Sequence, residues 1–204
     1  SGSLGAGGAG GGGGGVLMLN AGGTIALGAD VLASGGDGTD GAGGLAATGG
    51  GSGGGGAGGA LLLRATEVTV AAGVLSAVGK AGGDRFNAGG LGAAGRIRID
   101  VATVALPAVT ATPEPVRGPR WASDTPSIVR DAELDVTLYG EPNRSFAASW
   151  EAGEPVEVMT NGSGVGTFPV TLERGRNLIC SLVSVTASLS QSEAIQCIYV
   201  VYIP

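Results

Sequence analysis

GGVLMLNAGGTIALGADVLASGG (residues 14–36) and GGALLLRATEVTVAAGVLSAVGKAGG (58–83) are two copies of one pattern. Leu17 and Leu19 fall on Leu61 and Leu63 at an offset of 44, and Ile25 and Leu27 fall on Val68 and Val70 once one residue is lost in the turn. A partial third copy, GRIRIDVATVALP (95–107), places Ile97 and Ile99 on Leu61 and Leu63, and Val104 and Leu106 on Val68 and Val70, at an offset of 36. Apolar residues thus recur at equivalent positions in three turns of a repeating unit, with Leu17, Leu19, Leu61, Leu63, Ile97 and Ile99 as its expected core.

Each copy holds a short strand, a tight turn and a second strand, and the first two add a third segment at 31–34 and 74–78. Alternation is clearest in Arg96-Ile97-Arg98-Ile99-Asp100, where charges point one way and isoleucines the other. The glycine and β-branched content disfavours helix. Short strands with matched inward residues predict an all-β fold, a right-handed parallel β-helix or related solenoid in which each coil buries its apolar face on the next.

Between the coils run low-complexity stretches: SGSLGAGGAGGGGGG (1–15), GGDGTDGAGGLAATGGGSGGGGAGG (35–59) and GKAGGDRFNAGGLGAAG (79–95). Glycine-rich chain is ordinarily flexible coil. Packed polyproline-II strands are the other reading, because missing side chains let backbones lie close and pair N–H with C=O. Recurrence at one place in successive coils brings the packed form level with the flexible one, since stacked coils stack their excursions too, and both readings stay open.

A strand such as GGALLLRA or GRIRID after a run of glycines resembles the glycine-rich β-solenoid segments of large secreted or surface-attached bacterial proteins. The resemblance covers roughly residues 1–106 and implies an extracellular structural role. Polyglycine packing also resembles the tip adhesins of some tailed phages and certain antifreeze proteins. Ice binding would need a regular threonine array, and Thr24, Thr39, Thr48, Thr66 and Thr69 form no T-x-T ladder. Residues 35–42, GGDGTDGA, fit one copy of a calcium-binding nonapeptide, with Asp37 and Asp40 as weak candidate ligands; such sites share calcium between stacked copies, and the alternative is a solvent-facing turn.

Composition divides the chain. Of 43 glycines, 36 lie in the first hundred residues, and seven of the eight aromatics lie beyond them. The net charge of −6, the single lysine and the absence of histidine leave no basic footprint for nucleic acid or an anionic membrane. Without histidine, no Ser-His-Asp or Cys-His nucleophile pair assembles, and the commonest transition-metal ligand is missing. No cofactor and no enzymatic function are expected. The chain starts at Ser1, without an initiator Met, and has no 18-residue apolar run; it reads as a mature form or fragment with no membrane insertion.

LPAVTATPEPVRGPR (106–120) holds four prolines and reads as a semi-rigid linker. The expected domains are a glycine-rich β-solenoid at 1–108, a Pro-rich linker at 109–120 and a β-sandwich at 121–204. In the last part, strands are expected at 127–129, 134–139, 145–150, 156–160, 167–172, 177–185 and 194–203. Phe146, Ala148 and Trp150 would face Phe168, Val170 and Leu172 across a core centred on Trp150. GTFPVTLERGRNLI (166–179) resembles the G-x-F-x-V-x-L-x-x-G-x-N pattern of bacterial immunoglobulin-like domains, which implies a module that spaces or presents its neighbours. In that pattern Gly175 permits a turn, and the Asn177 side chain can satisfy turn backbone groups. Asn161-Gly162-Ser163 is a formal glycosylation sequon that reads first as turn chemistry.

A hairpin turning at Ser188-Leu189 pairs residues whose numbers sum to 377, which sets Cys180 opposite Cys197, Ser181 opposite Gln196 and Leu182 opposite Ile195. Directly opposed strand neighbours are near enough for a disulfide; two buried free thiols are the alternative. A disulfide would indicate an oxidising compartment, hence a secreted, extracellular or cell-surface protein. The leading expectation is a non-catalytic structural protein of the bacterial cell surface, a fibre or filament subunit with an adhesive role that self-associates through unpaired solenoid edges. The alternative is a glycan- or receptor-binding adhesin module at the tip of a larger fibre, with Trp121 as the candidate binding residue or else as packing between linker and sandwich.

Overall fold

The computed structural model describes residues 5–43, 49–85, 87–102, 109–150, 155–182 and 194–204. The fold is all-β. The first part contains β1 (Val16–Asn20), β2 (Thr24–Leu27), β3 (Val31–Leu32), β4 (Ala60–Ala65), β5 (Glu67–Val70), β6 (Val74–Ser76), β7 (Arg96–Val101) and β8 (Thr110–Thr112). They form three wholly parallel sheets, ordered β1-β4-β7, β2-β5 and β3-β6-β8.

The pairing follows the repeat. Leu17 pairs with Leu61 and Leu61 with Ile97; Leu19 pairs with Leu63 and Leu63 with Ile99; Ile25 pairs with Val68 and Leu27 with Val70. Side chains alternate across each pleat, so Leu61, Leu63, Ile97 and Ile99 are all buried in one cluster with Leu75, Ala77 and Val68. Leu19 is only partly buried, and Leu17 is 38% exposed. Leu19 packs against this cluster, whereas the expectation that Leu17 is core is corrected, because β1 is an outer strand covered from one side only. Val104 and Leu106 lie outside the described residues.

The glycine stretches form a second body of stacked backbone. Segment 5–14 donates to 50–59 through Gly8 to Gly51, Gly11 to Gly54 and Gly14 to Ala57, at 2.7–2.8 Å. Segment 33–42 donates to 5–14 through Gly36 to Gly12, Thr39 to Ala9 and Ala42 to Ala6. Segment 50–59 donates in turn to 33–42 through Gly50, Gly53, Gly56 and Gly59, and to 87–93 through Ser52, Gly55 and Gly58. Every series advances by three residues, the period of a polyproline-II helix, which has no internal hydrogen bonds and presents its groups in three directions. The described parts of the excursions are therefore packed chain. Segments 5–14, 50–59 and 87–95 form one layer, 33–42 and 77–83 the other, parallel within a layer and antiparallel between layers.

This spacing explains the composition. A Cβ on Gly56 would overlap the Gly12 carbonyl at a distance well inside 3.0 Å, and one on Gly55 the Lys80 carbonyl, whereas one on Gly54 would make ordinary contact at 3.7 Å. Glycine is obligatory only where a neighbouring backbone passes, and Ala57 occupies the permissive face.

Residues 109–120 differ from the expected linker. Thr110–Thr112 pairs with Val74–Ser76, and Val116 bridges Arg98, donating to the Ile97 carbonyl and accepting from Ile99 N. This segment covers the outer edge of β7, because an apolar sheet with open backbone groups is better satisfied by nearby chain than by water.

The second part contains β9 (Arg120–Trp121), β10 (Ile128–Val129), β11 (Glu133–Tyr139), β12 (Ser145–Trp150), β13 (Val156–Met159), β14 (Val165–Thr171), β15 (Gly175–Leu182) and β16 (Ala194–Tyr202). They form one antiparallel sheet, β14-β11-β9, and one mixed sheet, β10-β16-β15-β12-β13, in which only β10 runs parallel to its neighbour. Val136, Leu138, Phe168 and Val170 from the first sheet share a core with Phe146, Ala148, Ile179 and Val200 from the second. The central aromatic is Trp121, 1% exposed and 5.8 Å from Phe168 between ring centroids; Trp150, expected there, is only partly buried at 6.2 Å from Phe168. The two-residue strand β9 has too little periodicity to be read, yet it brings the Trp121 indole between the sheets.

Gly56→Ala should lower the unfolding free energy by about 1–3 kcal/mol, the usual effect of overpacking, while Gly54→Ala, two residues away, should change it by less than about 0.5 kcal/mol. Chemical denaturation of the two variants measures the difference, and equal effects would contradict the backbone packing.

Candidate functional site at the junction of the two parts

The charged face of β7 meets the second part of the chain. Asp100 is fully buried there and accepts from Arg98 Nε at 2.8 Å and Nη2 at 2.9 Å, from Gly118 N at 2.9 Å, and from Arg64 at 3.4 Å. Alternation of β7 sets Arg98 and Asp100 on one face, and the coil register brings Arg64 beside Asp100. Gly118 lies against the Arg98 guanidinium so closely that a Cβ would overlap it. A buried carboxylate with this many donors is a structural ion centre, with no lone pair left to act as a general base.

Two further arginines close the cluster. Arg117 donates its N–H to Glu141 Oε2 at 2.7 Å and Nη2 to the Val101 carbonyl at 3.3 Å, and its guanidinium lies 5.6 Å from the Tyr139 ring centroid. Burial pushes its pKa down, opposed by Tyr139, Glu141 and Asp100. Arg120 is 8% exposed, and its Nε has no hydrogen-bond partner among the described residues. Burial pushes its pKa down first and the nearby Arg64 charge adds to this, with Asp100 opposing. Four of the chain's eleven basic residues thus surround one buried carboxylate.

Beside this cluster is a cleft of about 300 Å³, lined by Thr66 and Ala102 from the first part and by Arg120, Trp121, Ser123, Thr125, Gln196 and Tyr199, among others, from the second. Trp121 lies at its floor, donating its backbone N–H to Gln196 Oε1 at 2.9 Å and Nε1–H to the Gln196 carbonyl at 3.2 Å. The expectation of Trp121 as an exposed binding platform is corrected: burial between the sheets leaves no free ring face. The residues that do line the cleft are scattered from 66 to 199 in the sequence, and no spacing rule joins them.

The remaining expected residues fall elsewhere. Cys180 and Cys197 are directly paired and form a disulfide, with S–S 2.09 Å. Ser181 pairs with Gln196 as the register predicts, but an irregularity after Ser181 sets Leu182 opposite Ala194 instead of Ile195. The expected turn at Ser188-Leu189 lies outside the described residues. Asn177 carries the anticipated turn role, accepting from Glu173 N at 2.9 Å and donating to the Glu173 and Gly175 carbonyls, while Gly175 takes φ 104°. Asn161 Oδ1 accepts from Ser163 N and Val165 N, so the sequon asparagine holds a turn. Asp40 Oδ1 accepts from Asp84 N at 2.9 Å and Arg85 N at 3.2 Å, tying one coil to the next; Asp37 is exposed. The described residues contain no cluster of three or more metal-ligating side chains.

Compared with known protein families, characterised proteins and solved structures, the chain finds no match.

Asp100→Asn, which keeps the shape but removes the charge, should cost about 3–5 kcal/mol because it leaves buried arginines uncompensated. Arg64→Gln, at the longer contact, should cost no more than about 1 kcal/mol; urea unfolding measures both. Replacing both cysteines by serine should cost about 2–4 kcal/mol, the entropy of the closed loop, read as a lowered melting temperature relative to the oxidised wild type.

Proposed function

We propose that this chain is a non-catalytic structural module of a secreted or cell-surface protein, a β-solenoid with a polyproline-II glycine bundle in series with an immunoglobulin-like sandwich. The unbroken parallel register over three coils supports the solenoid reading. The division of strands into β9-β11-β14 and β13-β12-β15-β16-β10, around one aromatic core, supports the immunoglobulin-like reading. A disulfide supports an oxidising compartment.

Self-association is carried by one observation, that the two ends of the coil stack are unlike. At one end, 110–116 covers β7 and pairs with β6. At the other, β1, β2 and β3 are all outer strands, with Val16 82%, Met18 57% and Leu32 63% exposed. Open edges with apolar side chains are sites of strand pairing. Because β6 and β7 are covered at one end, copies joined at the open end make a closed two-fold pair rather than an endless filament. The glycine layer favours the same outcome. Gly50 and Gly53 lie over the Ala6 and Ala9 carbonyls of the previous segment, so the methyls of Ala6 and Ala9 would meet a further segment stacked in the same way.

Light scattering of the wild-type chain over a hundredfold concentration range should show a monomer–dimer equilibrium, shifted to monomer by Met18→Lys. A concentration-independent monomer would overturn the self-association reading, as would a polydisperse filament.

A further inference from the structure

We propose that the cleft between the two parts binds the carboxylate of an acidic sugar, independently of the self-association described above. The chain carries a net charge of −6, yet among the described residues Arg64, Arg98, Arg117 and Arg120 gather around the two carboxylates Asp100 and Glu141 at this junction. The local excess is positive, and Arg98 and Arg64 are committed to Asp100 while Arg117 engages Val101 and the Tyr139 ring. Arg120 is the residue left over: it is buried, lines the cleft, and has an Nε without a partner among the described residues. A buried cation of this kind is costly unless an anion completes it. The forked guanidinium matches a carboxylate in size and geometry.

The rest of the lining selects the body of the ligand. At about 300 Å³ the cleft is at the small end of ligand-site volumes, room for one sugar ring. Ser123 and Thr125 contribute hydroxyls. Gln196 spends its side-chain carbonyl on Trp121 N, which turns its amide N–H groups to other partners. Tyr199, half exposed, offers a ring beside these polar groups, the pairing that sugars use. Arg176 lies 3.6 Å from that ring's centroid, a second cation next to this lining residue. Both parts of the chain supply walls, so occupancy also reports on their relative position.

The test is a titration of the full chain, labelled with 15N, with sodium glucuronate, glucose and acetate at low ionic strength. The resonances to follow are the Trp121 indole N–H and the Gln196 side-chain amide. Glucuronate should give a saturable shift that weakens with added salt, acetate should bind about tenfold more weakly, or about 1.4 kcal/mol, and glucose should give none. Arg120→Gln should abolish the glucuronate shift and Arg176→Gln should weaken it severalfold. If Arg120→Gln fails to fold, Ser123→Trp, placed at an exposed position on the cleft wall, should block it instead. No saturable shift, glucose binding as well as glucuronate, acetate binding equally with glucuronate, or full binding in the folded variants would each overturn the proposal.

Discussion

An N–H at every third residue of a glycine segment meets a carbonyl of the neighbouring segment, and this fit tolerates no Cβ on the facing positions. The spacing between coils depends on it. Strand neighbours in a sheet lie about 4.8 Å apart, and the glycine segments joining those strands must approach each other at a comparable spacing if both layers are to close together. Side chains at Gly53 or Gly56 would separate the glycine layer from the β-layer to which it is covalently joined. The two bodies share one register, 44 residues from first coil to second and 36 from second to third along the leucine strand.

The β-layer contributes what glycine cannot. Polyglycine buries little apolar surface, and its ordering carries a high conformational cost per residue. Leu61, Leu63, Leu75, Ile97 and Ile99, all at 1% exposure or less, supply the hydrophobic burial that holds the coils in place. Burial by the sheets and hydrogen bonding by the glycine layer are complementary, and neither body forms a self-sufficient core.

At the junction the governing constraint changes from packing to charge. Asp100 lies on the charged face of β7, where the outward face of a parallel sheet would ordinarily meet water, and is fully enclosed by Arg98, Arg64 and Gly118. That enclosure converts a proline-rich stretch into a fitted connector: Pro113, Pro115 and Pro119 bracket the residues that bridge β7 and supply Arg117 and Gly118. Proline limits the conformations open to the free segment, so less entropy is lost on docking. The same arrangement leaves Arg120 with a surplus of positive charge next to an open cleft.

The repeat was legible in the sequence because stacking demands like residues at like positions: the pairs Leu17–Leu61–Ile97 and Ile25–Val68 are the observed neighbours. The Cys180–Cys197 pairing was legible too, since hairpin register is arithmetic. The junction was not. Asp100 reads as one more charge in an alternating strand, and only the return of residues 113–121 over that strand buries it. Trp121 reads as a linker-side aromatic, and only the two-residue strand β9 carries it between the sheets. Whether glycine-rich chain is loose or packed was likewise left to the tertiary structure, because a polyproline-II segment has no hydrogen bonds of its own and becomes ordered only when neighbours supply them. Sequence alone determined which residues repeat and pair, since those relations are periodic; contacts between segments with no common period were decided by the fold.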